Sequence, residues 1–253
     1  MDRLVHTALN SISNLRDQRT VSAQNLANMN VPGFRRDLAN EGRAFFVEGA
    51  DGITTRVLQL ETGRHSFSQE AGFLNQTGEP LDLAIADKGY FFIQPGTGGE
   101  PALSRRGDLR AGPDGRLTTA AGDALLDEGL QPIVLPPFRA LIVDEAGVIT
   151  IEPQDGAPGE RVQVATLATA IPPEGSLGKG VDGHIRLAEG GLPPPDRQAR
   201  VLQGVLEGSN VNPTEELISS IDLQRSFEVN LRMITTAQEL DEAGARLLRL
   251  AEG

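Results

Sequence analysis

The sequence predicts an α+β protein: a discontinuous helical domain, with N- and C-terminal helices paired antiparallel, around a mainly antiparallel β middle domain. Three observations carry this: where glycine and proline fall, how apolar residues are spaced at the two ends, and how turns punctuate the centre. No glycine precedes Gly33, none lies between Ser209 and Ala243, and 14 of the 16 prolines lie between Pro80 and Pro195. Glycine and proline cost roughly 1 and 3 kcal/mol in a helix interior, so both ends read as helix and the centre does not. A chain of 253 residues with 39% hydrophobic residues and no cysteine can bury a real core without metal or disulfide.

In the first segment, Val5, Ile12, Arg19 and Leu26 take heptad position a, and Ala8, Leu15, Ser22 and Met29 take position d. Six of these eight seam positions are apolar. Arg19 and Ser22 break the seam, so the helix is expected to be weak until a partner covers it. It should stop before Val31-Pro32-Gly33, because a residue preceding proline avoids the α region.

The last segment opens on Asn212-Pro213-Thr214-Glu215-Glu216. Asn212 suits the cap, Pro213 the first helical position, and the acids the positive end of the helix dipole. From there Phe227, Leu231, Ile234, Ala237, Leu240, Ala243, Leu247 and Leu250 recur every three or four residues as one apolar stripe. An unbroken helix to Leu250 would be roughly 55 Å long, with Gly244 its weak point. Such a rod needs another elongated element to cover it. Residues 1–36 carry five arginines against two aspartates, and residues 213–253 carry four arginines against eight acids, so opposite charge favours pairing of the two ends.

Between them the chain reads as short strands. Leu81-Asp82-Leu83-Ala84-Ile85, a turn at Asp87-Lys88-Gly89 and Tyr90-Phe91-Phe92-Ile93 predict a hairpin. Pro113-Asp114-Gly115, Ala121-Gly122-Asp123 and Glu145-Ala146-Gly147 mark further turns, and the whole suggests an antiparallel sandwich or barrel. Pro193-Pro194-Pro195 reads as an extended spacer.

Several functions are disfavoured. Aromatic residues are only 4% of the chain, with one tyrosine and no tryptophan, which leaves little to stack on bases or sugars. A net charge of −12 repels nucleic acid and anionic lipid. His6, His65 and His184 share no ligand spacing, no phosphate-binding glycine loop precedes a helix, and Gly-x-Ser-x-Gly is absent, so no cofactor or metal is expected. Carboxylate pairs such as Asp82 with Asp87 sit at turns where solvation explains them. A wall-cleaving periplasmic hydrolase is the one enzyme reading retained, because its two acids could lie anywhere in sequence. The start of the chain shows no apolar leader, and no run approaches the ~20 apolar residues of a membrane span.

Asn25-Leu26-Ala27-Asn28 followed by Gly33-Phe34-Arg35 resembles the N-terminal signature of the bacterial flagellar rod and hook family. Gly72-Phe73-Leu74, residues 80–85, Gly89-Tyr90-Phe91, Arg105-Arg106-Gly107 and Asp114-Gly115-Arg116-Leu117 follow in that family's order. Residues 206–213, Leu223-Gln224-Arg225-Ser226-Phe227-Glu228 and Thr236-Ala237 resemble its C-terminal signature. Gln24, Val31-Pro32 and Leu109 depart from the usual pattern, which bears on subtype and local turns.

The resemblance, nearest to proximal-rod members with the distal rod as the alternative, implies a structural subunit and not an enzyme. It implies export through the flagellar apparatus without a cleaved leader, a place in the periplasmic rod of the basal body, and torque transmission around an export channel. Its partners would be other rod proteins and copies of itself, with no nucleic acid and no membrane insertion. Residues 1–36 would form the first helix and turn, 37–205 the β middle and 206–253 the last helix. Val5, Ala8, Ile12, Leu15, Leu26 and Met29 with Phe227, Leu231, Ile234, Leu240 and Leu247 would form the helical core, between subunits or within one. Asn25, Asn28, Gly33 and a buried Phe34 would set the exit from the first helix, and Asn210, Asn212 and Pro213 the start of the last.

Overall fold

The structure, a computed structural model, describes residues 2–39, 43–48, 54–59, 66–86, 88–173, 175–180 and 182–251. The chain divides into two compact units, one of Met1–Ala27 with Asn212–Gly253 and one of Asn28–Val211.

Two helices make the first unit, α1 (Asp2–Ala27) and α2 (Pro213–Ala251). The predicted start of α2 is seen in its hydrogen bonds: Thr214 N–H donates to Asn212 Oδ1 at 3.1 Å and Glu216 N–H to the Asn212 carbonyl at 3.1 Å. Gly244 lies inside α2 without ending it. α1 stops earlier than the heptad frame requires. Val31 N–H donates to the Asn28 carbonyl at 3.0 Å, closing a turn, so Met29 falls outside the helix. Pro32 disfavours the α region for Val31, so the helix does not resume after this turn.

The middle unit is all β among its described residues. Its strands are β1 (Arg43–Glu48), β2 (Thr54–Gln59), β3 (Leu74–Gln76), β4 (Leu83–Ile85), β5 (Tyr90–Gln94) and β6 (Ala102–Ser104). There follow β7 (Leu109–Ala111), β8 (Leu117–Thr119), β9 (Ala124–Leu125), β10 (Phe138–Val143), β11 (Val148–Pro153) and β12 (Val162–Thr166). The last are β13 (Thr169–Ala170), β14 (Leu177–Lys179), β15 (Ile185–Leu187), β16 (Val201–Gln203) and β17 (Val205–Glu207).

Among the described residues all the strand pairings are antiparallel. The largest sheet runs β14-β15-β6-β5-β9-β8-β7, with β13 also on β5. β10-β11-β12 form a second sheet, and β1-β2, β4-β16 and β3-β17 form two-stranded ribbons. β5 is the hub, buried on both faces: Phe91 and Ile93 join a core with Leu141, Ile149 and Ile151, while Tyr90 and Phe92 join a second core with Phe67, Leu126 and Ile185. This is the period-two alternation of a strand that has no solvent face.

The turns near Gly115, Gly122 and Gly147 fall where the sequence places them, each glycine at positive φ. The hairpin predicted across residues 81–93 does not form. β4 pairs with β16, and β5 with β6, β9 and β13. The physical reason is Arg105, whose guanidinium donates to the carbonyls of Ile85 and Gly89 and so stands where a tight turn would close.

Candidate assembly site

In the helical unit the contacts centre on a buried carboxylate. Ser22 Oγ donates to Glu216 Oε2 at 2.8 Å and Asn25 Nδ2 to Glu216 Oε1 at 3.2 Å, with all three residues buried. The Arg19 guanidinium lies 6.0 Å from the centre of the Phe227 ring, a cation–π distance. The two residues that interrupt the apolar seam therefore both bind across to α2. Beside them, Leu15 and Gln18 with Glu215, Ile218, Asp222 and Leu223 line a groove of about 440 Å³. Ile12, Leu15, Leu26, Phe227 and Ile234 are half-buried, and Leu231 is exposed. Val5, Ala8, Leu240 and Leu247 lie on the helices, but their side chains are outside those described.

In the middle unit the first and last segments of the unit are stitched together. Gly33 N–H donates to the Glu207 carbonyl at 2.8 Å. Gly33 has φ +67°, and a Cβ there would meet the Arg105 carbonyl oxygen at 2.3 Å, so the position admits only glycine. Asn210 N–H donates to the Phe34 carbonyl at 3.3 Å, Asn210 Oδ1 accepts from Arg36 N–H at 2.6 Å, and Asn210 Nδ2 donates to the Glu70 carbonyl at 2.8 Å. Phe34 is half-buried, with the Lys179 ammonium over its ring 4.1 Å from the centroid. Lys179 in turn pairs with buried Asp37 at 2.7 Å.

Behind these bonds lies a charged cluster. The Glu207 carboxylate meets Arg35 Nη2 at 2.9 Å and Arg105 Nε at 2.6 Å, with all three side chains at most 3% exposed. It also accepts from Gly72 N–H at 2.8 Å. Two guanidiniums share one carboxylate. Burial pushes the Arg35 guanidinium below its usual value, opposed by Glu207 and reinforced by Arg105. Burial likewise raises the Tyr90 phenol, which lies 5.7 Å from Arg105 and is pulled back by both arginines.

Of the residues singled out in sequence, Asn25 and Gly33 sit at these junctions, as do Phe34 and Asn210, and Asn212 with Pro213 opens α2. Asn28 accepts the turn that ends α1. Sequence reasoning placed Glu216 only at the helix dipole and assigned no role to Arg35, Arg105 or Glu207, nor to Lys179 and Asp37. Arg35 and Arg105 stood inside motif blocks, but a charge destined for burial looks like any surface charge until its partners are known.

Residues 202–247 match the family model described as the flagellar basal body rod FlgEFG protein C-terminal region. The chain is 31% identical to the flagellar basal-body rod protein FlgF of Salmonella typhimurium, over 99% of this chain and all of that one. It is 32% identical to FlgF of Escherichia coli over 96% of both chains. Against the rod protein FlgG of Buchnera aphidicola it is 30% identical over 87% of this chain and 90% of that one. The chain thus belongs to the flagellar basal-body rod protein family, with a FlgF-like sequence along nearly its whole length.

Proposed function

We propose that the chain is a structural subunit of the flagellar rod, of the proximal FlgF type, that polymerises through antiparallel pairing of its two terminal helices. The observation that carries this is α2 itself: Leu217, Ile218, Ile221, Val229, Leu231 and Met233 stand 44% to 56% exposed on one 39-residue helix. So much apolar surface on a single helix marks an interaction face. The bonds from Ser22 and Asn25 to Glu216, and the approach of Arg19 to Phe227, support an antiparallel pair, since lower positions on α1 meet higher ones on α2.

In this reading the working parts are residues 1–36, 37–205 and 206–253, with the helices as drive-shaft core and the β middle as outer body. Copies of the chain and other rod proteins are its partners in the periplasmic rod, and the export apparatus handles it on the way. The match to FlgG favours a distal-rod subunit as the second reading. The test is complementation of a strain lacking its own copy. The parent chain should restore swimming and complete basal bodies, and a double variant Ile221→Asp with Val229→Asp should not. That variant should change monomer stability by only about 0.5 kcal/mol, because both positions are exposed. Swimming by the double variant would contradict polymerisation through this face.

A further inference from the structure

Five residues separate Ala27, the last of α1, from Gly33, and five separate Glu207 from Pro213, the first of α2. The inner ends of these two equal leashes are joined by one backbone hydrogen bond, Gly33 N–H to the Glu207 carbonyl. Asn210 adds the bond between its Oδ1 and Arg36 N–H, across 174 positions of sequence. Beneath them Glu207 is held by Arg35 from the start of the unit and Arg105 from its middle.

We propose that this Glu207-centred clasp is a positioning device for assembly: it draws the leashes of both helices to one point only once the middle unit has folded, and so gates their pairing. The proposal rests on the reading that the helices pair.

Charge makes the closure conditional. Before Glu207 arrives, bringing the like charges of Arg35 and Arg105 together is unfavourable, even with Arg105 donating to the Ile85 and Gly89 carbonyls. Glu207 is the most C-terminal member, so the cluster cannot form until the last strand of the middle unit has docked. Once it does, the carboxylate bonds both guanidiniums, Gly72 joins it, and the two backbone segments are fixed together. Holding the segments by short leashes raises the effective concentration of one helix at the other, and an open loop of this length does not. The clasp therefore delays exposure of a completed helix pair until the outer body is in place.

The chain carries its own reporter. Tyr90 is its only tyrosine, there is no tryptophan, and the ring lies beside Arg105, so intrinsic fluorescence reads closure of the clasp. Helix pairing is read separately by disulfide formation in full-length Gln18→Cys/Asp222→Cys, two positions on one groove. In refolding, the Tyr90 signal should settle before the disulfide appears. Glu207→Gln should slow the disulfide about tenfold through loss of effective concentration. Should Glu207→Gln fail to fold, Asn210→Ala decides: it spares the buried charges and should slow crosslinking about threefold with the Tyr90 signal unchanged. An undiminished rate in Asn210→Ala, or a disulfide that precedes the Tyr90 change, overturns the clasp. No disulfide in the parent pair overturns helix pairing, and the clasp's role with it.

Discussion

Glu207 and Glu216 stand nine residues apart, each 2% exposed, yet they are held by opposite means. Glu207, at the end of the β unit, is held by two guanidiniums brought from far along the chain. Glu216, in the first turn of α2, is held by the neutral donors of Ser22 and Asn25, where the helix dipole also favours an anion. A buried charge pinned by charges is costly to open and rigid. One held by hydroxyl and amide is a weaker lock.

The contrast is broken most sharply at Glu207. Glu207→Gln removes the carboxylate that bridges buried Arg35 and Arg105 and should lower stability by about 3–5 kcal/mol in urea unfolding. A loss below about 1 kcal/mol would mean the cluster is hydrated after all.

Gly33→Ala comes next. It forces a side chain into left-handed backbone and against the Arg105 carbonyl, which should lower stability by about 2–3 kcal/mol in the same unfolding assay.

At the helices, Ser22→Leu repairs the heptad on paper. It should nonetheless destabilise the helical unit by about 1–3 kcal/mol, followed by circular dichroism on heating, because it removes a donor from Glu216. Stabilisation would show that the seam is apolar in practice. Asn212→Ala, which touches only the cap, should cost about 1 kcal/mol on the same measure.

The smallest effect at neutral pH belongs to Tyr90. Its phenol is pushed up by burial, so the folded chain keeps the proton longer than the unfolded one. Its contribution should be intact below the ordinary phenol value near pH ~10 and decline above it. Tyrosinate absorbance should rise at higher pH in the folded than in the urea-unfolded chain, and coincident curves would contradict the burial.

What the sequence made legible follows from where the physics is local. Asn212, Pro213 and the acids after them announce α2 because capping and dipole effects act within one turn. Gly115, Gly122 and Gly147 announce turns because positive φ is a property of single residues. The hairpin at residues 81–93 misleads because its outcome depends on Arg105, a residue outside the segment. Arg19 and Ser22 read as flaws in a seam because a heptad frame scores apolarity and is blind to an aromatic ring or a carboxylate on the facing helix. Glu207 was invisible for the same reason at longer range.

The account depends above all on α1 and α2 running antiparallel, and a cysteine scan reads that direction directly. With one cysteine at Asp222 and a second walked along α1, disulfide formation should peak at Gln18. Moving the α2 cysteine from Asp222 to Glu228 should shift the peak to a lower-numbered position on α1. A shift toward higher numbers, or a flat profile, would contradict the pairing.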